Sequence, residues 1–149
     1  MGSRRKGRIL AFQALYAWAM AEEADRGDPL SALLEFPWLA GKAVSPETLN
    51  FPRLLVKGAV ERIDEVDRVI KKHLLNWDFS RVGRVDQALL RLGVYEMLFQ
   101  KETPAVVIDE AVGIAQEFGS DDSYRFINGV LDGVRKSMQG ADGERAQSV

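Results

Sequence analysis

Along most of the chain, apolar residues recur at steps of three and four, the period of helices that bury one face. Ala11, Leu15 and Trp18, with Phe12, Tyr16 and Ala19 beside them, predict a first helix from near Arg4 to Ala24, ending at Arg26-Gly27. Asp28 followed by Pro29 reads as an N-cap with proline in the first turn, so a short helix is expected from Pro29 to Phe36. The pattern dissolves from Pro37 to Pro46, where Pro37-Trp38-Leu39 is expected to pack as a lid over the first helices. Leu54, Leu55, Ala59, Ile63, Val66, Ile70 and Leu74 predict one long helix from about Phe51 to Asn76, with Pro52 in its first turn. After a connector from Trp77 to Val82, the segment from Gly83 to Gln100 is apolar nearly all round, which predicts a central helix.

The last third reads as a helical hairpin. Val107, Ala111, Ile114 and Phe118 form one stripe, and Ile127, Val130, Leu131 and Val134 a second. Pro104 suits the first turn of the earlier helix, Gly119 its stop, and Ser120, Asp121 or Asp122 the cap of the next. Asn128 and Gly129 interrupt the second helix with poor helix formers, glycine costing about 1 kcal/mol against alanine. Close packing at Gly129 is expected, with the Asn128 amide bonded to a neighbouring backbone. No segment shows strand-like alternation, so the fold class is all-α, about seven helices including a short one. Residues 1–138 are expected as a single domain and 139–149, low in apolar content, as a disordered tail.

Composition narrows the function classes. The 149 residues are 46% hydrophobic and 28% charged, the balance of a soluble globular protein, with no apolar run of membrane-span length. There is no cysteine, hence no thiolate nucleophile or disulfide framework, which fits the cytoplasm. No glycine-rich phosphate loop or nucleophile elbow is present, so catalysis and a cofactor are not expected. Carboxylates interleave with cations from Glu61 to Lys72, but one histidine and no Glu-x-x-His pair argue against a metal; ion pairs on a wet face explain the run. The polar minority of the central helix is expected to be paired, Arg91 with Glu96 or Glu110. Net charge is −2, yet Arg4, Arg5, Lys6 and Arg8 precede any acidic residue before Glu22. Such a basic end is either a solvated terminus or an anchor for phosphates.

Several segments together resemble the NusB transcription antitermination factors. The densest is Asp122-Ser123-Tyr124-Arg125-Phe126-Ile127-Asn128-Gly129-Val130-Leu131-Asp132, preceded by Ile108-Asp109-Glu110-Ala111-Val112 and Phe118-Gly119. Upstream, Asp86, Leu90-Arg91-Leu92, Tyr95-Glu96-Met97-Leu98, Ala14-Leu15-Tyr16 and Arg4-Arg5-Lys6 fit the same family. Residues from about 22 to 50 and the last dozen carry none of the resemblance.

The resemblance implies two packed three-helix subdomains and a non-catalytic protein. Members of that family bind the boxA element of ribosomal RNA leaders together with NusE, a small-subunit ribosomal protein, and act indirectly on RNA polymerase with other Nus factors. Carried onto this chain, it places Arg4, Arg5, Lys6 and Arg8 on RNA phosphates, and Asp122, Ser123, Arg125 and Phe126 on RNA at the turn. Lys72 and His73 would supply another RNA contact, and Tyr16 and Asp86 would face NusE. Gln116 and Glu117 stand where many members have lysine, a departure expected to weaken RNA binding or to shift it toward the basic arm. The family holds monomers and homodimers, so a homodimer stays open. Two other classes are a protein-only helical adaptor and a relative of the RNA-binding domain of ribosomal RNA cytosine methyltransferases. The chain length leaves no room for the cofactor domain such enzymes require.

Overall fold

The structure, a computed structural model, describes residues 3–24, 27–39, 42, 44–75 and 78–147, with side chains from 4 to 140 among them. Among the described residues seven α-helices occur: α1 Ser3–Glu23, α2 Leu30–Leu33, α3 Pro46–Glu61, α4 Ile63–Lys72, α5 Arg84–Leu98, α6 Pro104–Phe118 and α7 Ser123–Gln147. Short 3-10 turns lie at Pro37–Leu39 and Phe79–Arg81, and no strand occurs among the described residues. The all-α expectation holds, short helix included. The predicted ends at Arg26 and Asn76, and Trp77 of the connector, lie outside the described residues.

Helix α5 is the axis of the molecule. From Ala88 to Met97 every residue but Arg91 is buried, and the helix touches α1, α3, α4, α6 and α7. Helices α1, α2 and α3 pack together on one side of it, and α6 pairs with α7 on the other. The stripes read from sequence are the core, with Leu15, Leu55, Ile70, Leu90, Ile114 and Leu131 all but inaccessible to water.

The long helix expected from Phe51 to Asn76 is two helices. Ser45 caps the start at Pro46, its Oγ accepting from the Thr48 N–H at 3.4 Å. Pro52 therefore sits inside α3, where it removes the N–H that would reach the Thr48 carbonyl. The break comes at Arg62, with φ −108° and ψ 19°. Its cause is tertiary: α3 packs on α1 and α5, α4 on α5 and α7, and one straight rod cannot follow both surfaces. The apolar repeat runs through the break with little change of phase, which hides it from a periodicity argument.

Two further expectations are corrected. Gly129 is exposed with open space where a Cβ would stand, and Asn128 is exposed without a backbone partner, so neither is there for close packing. The close approaches are elsewhere: a Cβ on Gly119 would meet the Ala115 carbonyl oxygen at 2.7 Å and the Ser123 Cβ at 2.6 Å. Arg91 pairs with neither Glu96 nor Glu110 but makes a two-pronged bond to Asp67, 2.9 Å at each nitrogen. Helix α7 is assigned through Gln147.

Candidate nucleic-acid interface

The basic arm is the first two turns of α1, laid against the end of α5 and the start of α6. Arg8 is buried, its side chain 4% exposed, and its Nε donates to both oxygens of Glu96 at 2.9 and 3.1 Å. Burial pushes the Glu96 carboxyl upward and the Arg8 guanidinium opposes that rise. Arg8 is thus a core ion pair, a cation enclosed with its own carboxylate, at a position for which the resemblance implies a phosphate contact.

The neighbouring cations are more open. Arg4 is exposed, donates to Glu102 at 3.0 Å and lies 4.6 Å over the Phe51 ring. Arg5 pairs with Glu110, its guanidinium resting on Gly113, where an added Cβ would come within 2.6 Å of both terminal nitrogens. Among the described residues Lys6 has no carboxylate partner, and it is exposed. The fold therefore brings three glutamates, distant in sequence, onto three of the four cations.

The second cluster lies at the opposite end of α5. Asp86 in its first turn and Asp122, Ser123 and Phe126 at the start of α7 line one cleft of about 370 Å3, with Arg81 and Gly83 on its rim. Asp86 is half-buried, its Oδ1 has no hydrogen-bond partner, and burial pushes its carboxyl above the ordinary aspartate range while the Ser123 hydroxyl opposes this. Phe126 is half-buried, packed on the core at its root and open to the cleft at its edge.

Ser123 is 3% exposed, and its Oγ lies 3.0 Å from both the N–H and the hydroxyl of Ser120. It shapes the turn, its hydroxyl engaged with Ser120 at the position for which the resemblance implies an RNA contact. Asp122 and Arg125 are exposed, the Arg125 Nε donating to the Tyr124 hydroxyl at 2.9 Å.

Tyr16, 37% exposed on α1, and Arg84, bonded to Glu23, place the α1 side of this end close to the cleft. Sequence resemblance divided Tyr16 and Asp86 from the turn residues by partner; the fold gathers Asp86 and the turn into one depression. Lys72 is exposed at the end of α4, but His73 is held by α7. Its Nδ1 lies 3.0 Å from the Val69 carbonyl, which requires a proton on Nδ1, and Nε2 lies 3.2 Å from the Ser137 hydroxyl. The arm and the cleft stay apart, about 15 Å along the ten-residue span from Asp86 to Glu96. Sequence reasoning missed Glu96, Glu102 and Glu110 as partners of the arm; spacings of up to about a hundred residues leave no local signal.

Comparison with known proteins identifies the family. The NusB family profile matches residues 5–136. The transcription antitermination protein NusB of Treponema denticola is 47% identical over 134 residues, covering 89% of this chain and 95% of the relative. A solved complex of antitermination factors NusB and NusE with double-stranded RNA contains a chain 30% identical with a TM-score of 0.79, covering 92% of this chain and 98% of that one. The Thermotoga NusB structure designated T. maritima NusB is 32% identical with a TM-score of 0.76, covering 89% and 90%. No helix among the described residues is long and apolar enough to cross a membrane. With one profile spanning both the arm and the cleft, and relatives covered almost end to end, this chain belongs to the NusB family.

Proposed function

We propose that this chain is a non-catalytic transcription antitermination factor that binds boxA RNA of ribosomal RNA leaders together with NusE, in the cytoplasm where transcription runs. Through that complex it acts on RNA polymerase with other Nus factors. The observation that carries the reading is the near full-length match, in sequence and in fold, to a NusB solved with NusE and RNA.

The two clusters suit a shared task. Arg4, Arg5 and Lys6 supply cations for phosphates, and Phe126 supplies an aromatic edge for a base. Three of the arm's four cations are already met by glutamates, so phosphate grip by this chain alone is weak and a second protein surface adds to it. Asp86, a buried acceptor without a donor, is suited to an N–H or O–H brought by NusE, and Tyr16 offers ring and hydroxyl nearby.

Titration of labelled boxA RNA with this protein, with and without NusE, tests the reading. Tighter binding with the partner is expected; equal affinity in both arms refutes the cooperation. Recovery from ribonuclease-treated lysate of proteins unrelated to transcription, with no RNA binding in titration, would favour the adaptor class instead.

A further inference from the structure

The segment that follows α2 carries none of the motifs quoted for the family resemblance, and there the fold builds a groove. Trp38, Lys42 and Thr48 face Lys6, Ile9 and Gln13 of α1 across a space of about 380 Å3. Two lysines line it and, among the described residues, no carboxylate does. The lid expected from Pro37-Trp38-Leu39 is present, Leu39 packing on the core, but the Trp38 indole remains 39% exposed.

That indole is held in position from two sides. It meets the buried Phe36 ring edge-on, 5.6 Å between centroids, and its Nε1 donates to the Gln13 Oε1 at 3.0 Å. An indole N–H only donates, so the bond sets the Gln13 amide with its oxygen toward the ring and its NH2 uncommitted. Phe36 has φ 49°, a left-handed conformation bulky side chains rarely adopt, kept by the packing that encloses it. The result is a fixed, half-open aromatic face with an amide donor beside it and two lysines lining the same groove.

We propose that this groove is a second RNA subsite, taking an unpaired nucleotide next to those held by the basic arm. The base stacks on Trp38, its phosphate lies between Lys6 and Lys42, and the Gln13 NH2 donates to a base edge. Stacking on a rigid aromatic flanked by cations is how single-stranded nucleic acid is held without dependence on sequence. The groove is continuous with the arm, because Lys6 belongs to both. An acidic peptide would meet the same lysines, but the exposed Trp38 face adds a stacking contact that any base can make, which favours a nucleotide. The inference rests on the RNA reading above.

The test measures affinity and salt slope for a labelled boxA RNA extended by unpaired flanking nucleotides, using this protein with NusE. Trp38→Ala should weaken binding by roughly 5- to 100-fold with an unchanged salt slope, the range for losing one stacked base, and Trp38→Phe should stay near the parent. Lys42→Ala should flatten the slope by about 0.7, one phosphate contact, and as an exposed substitution it stands even if Trp38→Ala unfolds. Parent affinity and slope in both Trp38→Ala and Lys42→Ala, alongside weaker binding by an Arg4→Ala, Lys6→Ala double variant, overturn the subsite and leave the RNA reading standing. If the parent binds no RNA, or the double variant binds as the parent does, the RNA reading falls and the subsite with it. Loss of NusE binding without loss of RNA affinity would assign the groove to a protein and also overturn the proposal.

Discussion

The two ends of α5 carry opposite kinds of incompleteness. At its C-terminal end the arm's cations are already answered from within, Arg4 by Glu102, Arg5 by Glu110 and Arg8 by Glu96. At its N-terminal start a buried Asp86 oxygen has no answer at all. A ligand at the first end must displace or share existing contacts, whereas one at the second completes a contact the fold leaves open. Net charge conceals both, since the arm looks strongly basic in sequence and is nearly neutral in space.

The largest expected effect breaks the arm from within. Arg8→Ala leaves Glu96 buried and unpaired, and should cost about 3–5 kcal/mol in urea unfolding, while Arg4→Ala, losing an exposed pair, should cost under about 1 kcal/mol. Similar losses for the two would mean that Arg8 is not the enclosed partner described. Next comes Phe126→Ala, which probes the opposite end. Removing a base-stacking ring should lose about 1–3 kcal/mol of RNA affinity at constant salt slope, and its half-burial adds about 2 kcal/mol of lost stability, below the roughly 3–5 of a fully enclosed phenylalanine.

Asp86→Asn separates stability from function by pH. The folded carboxyl titrates above its unfolded value, so holding it ionised costs stability above the folded pKa, and that cost disappears as pH falls below the ordinary aspartate range. The variant should therefore melt higher at neutral pH, with the gain vanishing in acid, while NusE binding weakens. An advantage that persists at low pH would place its origin outside ionisation. The smallest effect comes from Glu102→Gln, which loosens Arg4: RNA affinity should rise slightly and the salt slope steepen by at most about 0.7. An unchanged slope would remove Arg4 from the phosphate-binding set.

What could be read from the chain was whatever is local. Stripes located the core of α1, α5, α6 and α7, and Pro104 and Gly119 bounded α6 where the structure has them. What could not be read depends on distant partners. Arg8 and Arg4 look alike four residues apart, yet one faces Glu96 and the other solvent. Asn128 and Gly129 looked like packing residues because poor helix formers usually need a reason, and the structure shows that packing is not theirs. Ser123 was given an RNA contact by the resemblance alone, and no local pattern showed that its hydroxyl closes the turn that lets Gly119 approach the next helix.

The seat that Gly113 makes for Arg5 has a kinetic and entropic consequence. A long guanidinium side chain normally loses much rotational freedom when it captures an anion. Here the backbone notch and Glu110 immobilise it during folding, so an arriving phosphate meets a cation already in place and the ordering cost falls outside the binding step. A methyl group at that one position, Gly113→Ala, should make α6 more stable by up to about 1 kcal/mol yet release Arg5 into a swinging ensemble, trading a firm helix for a slower and looser grip on RNA.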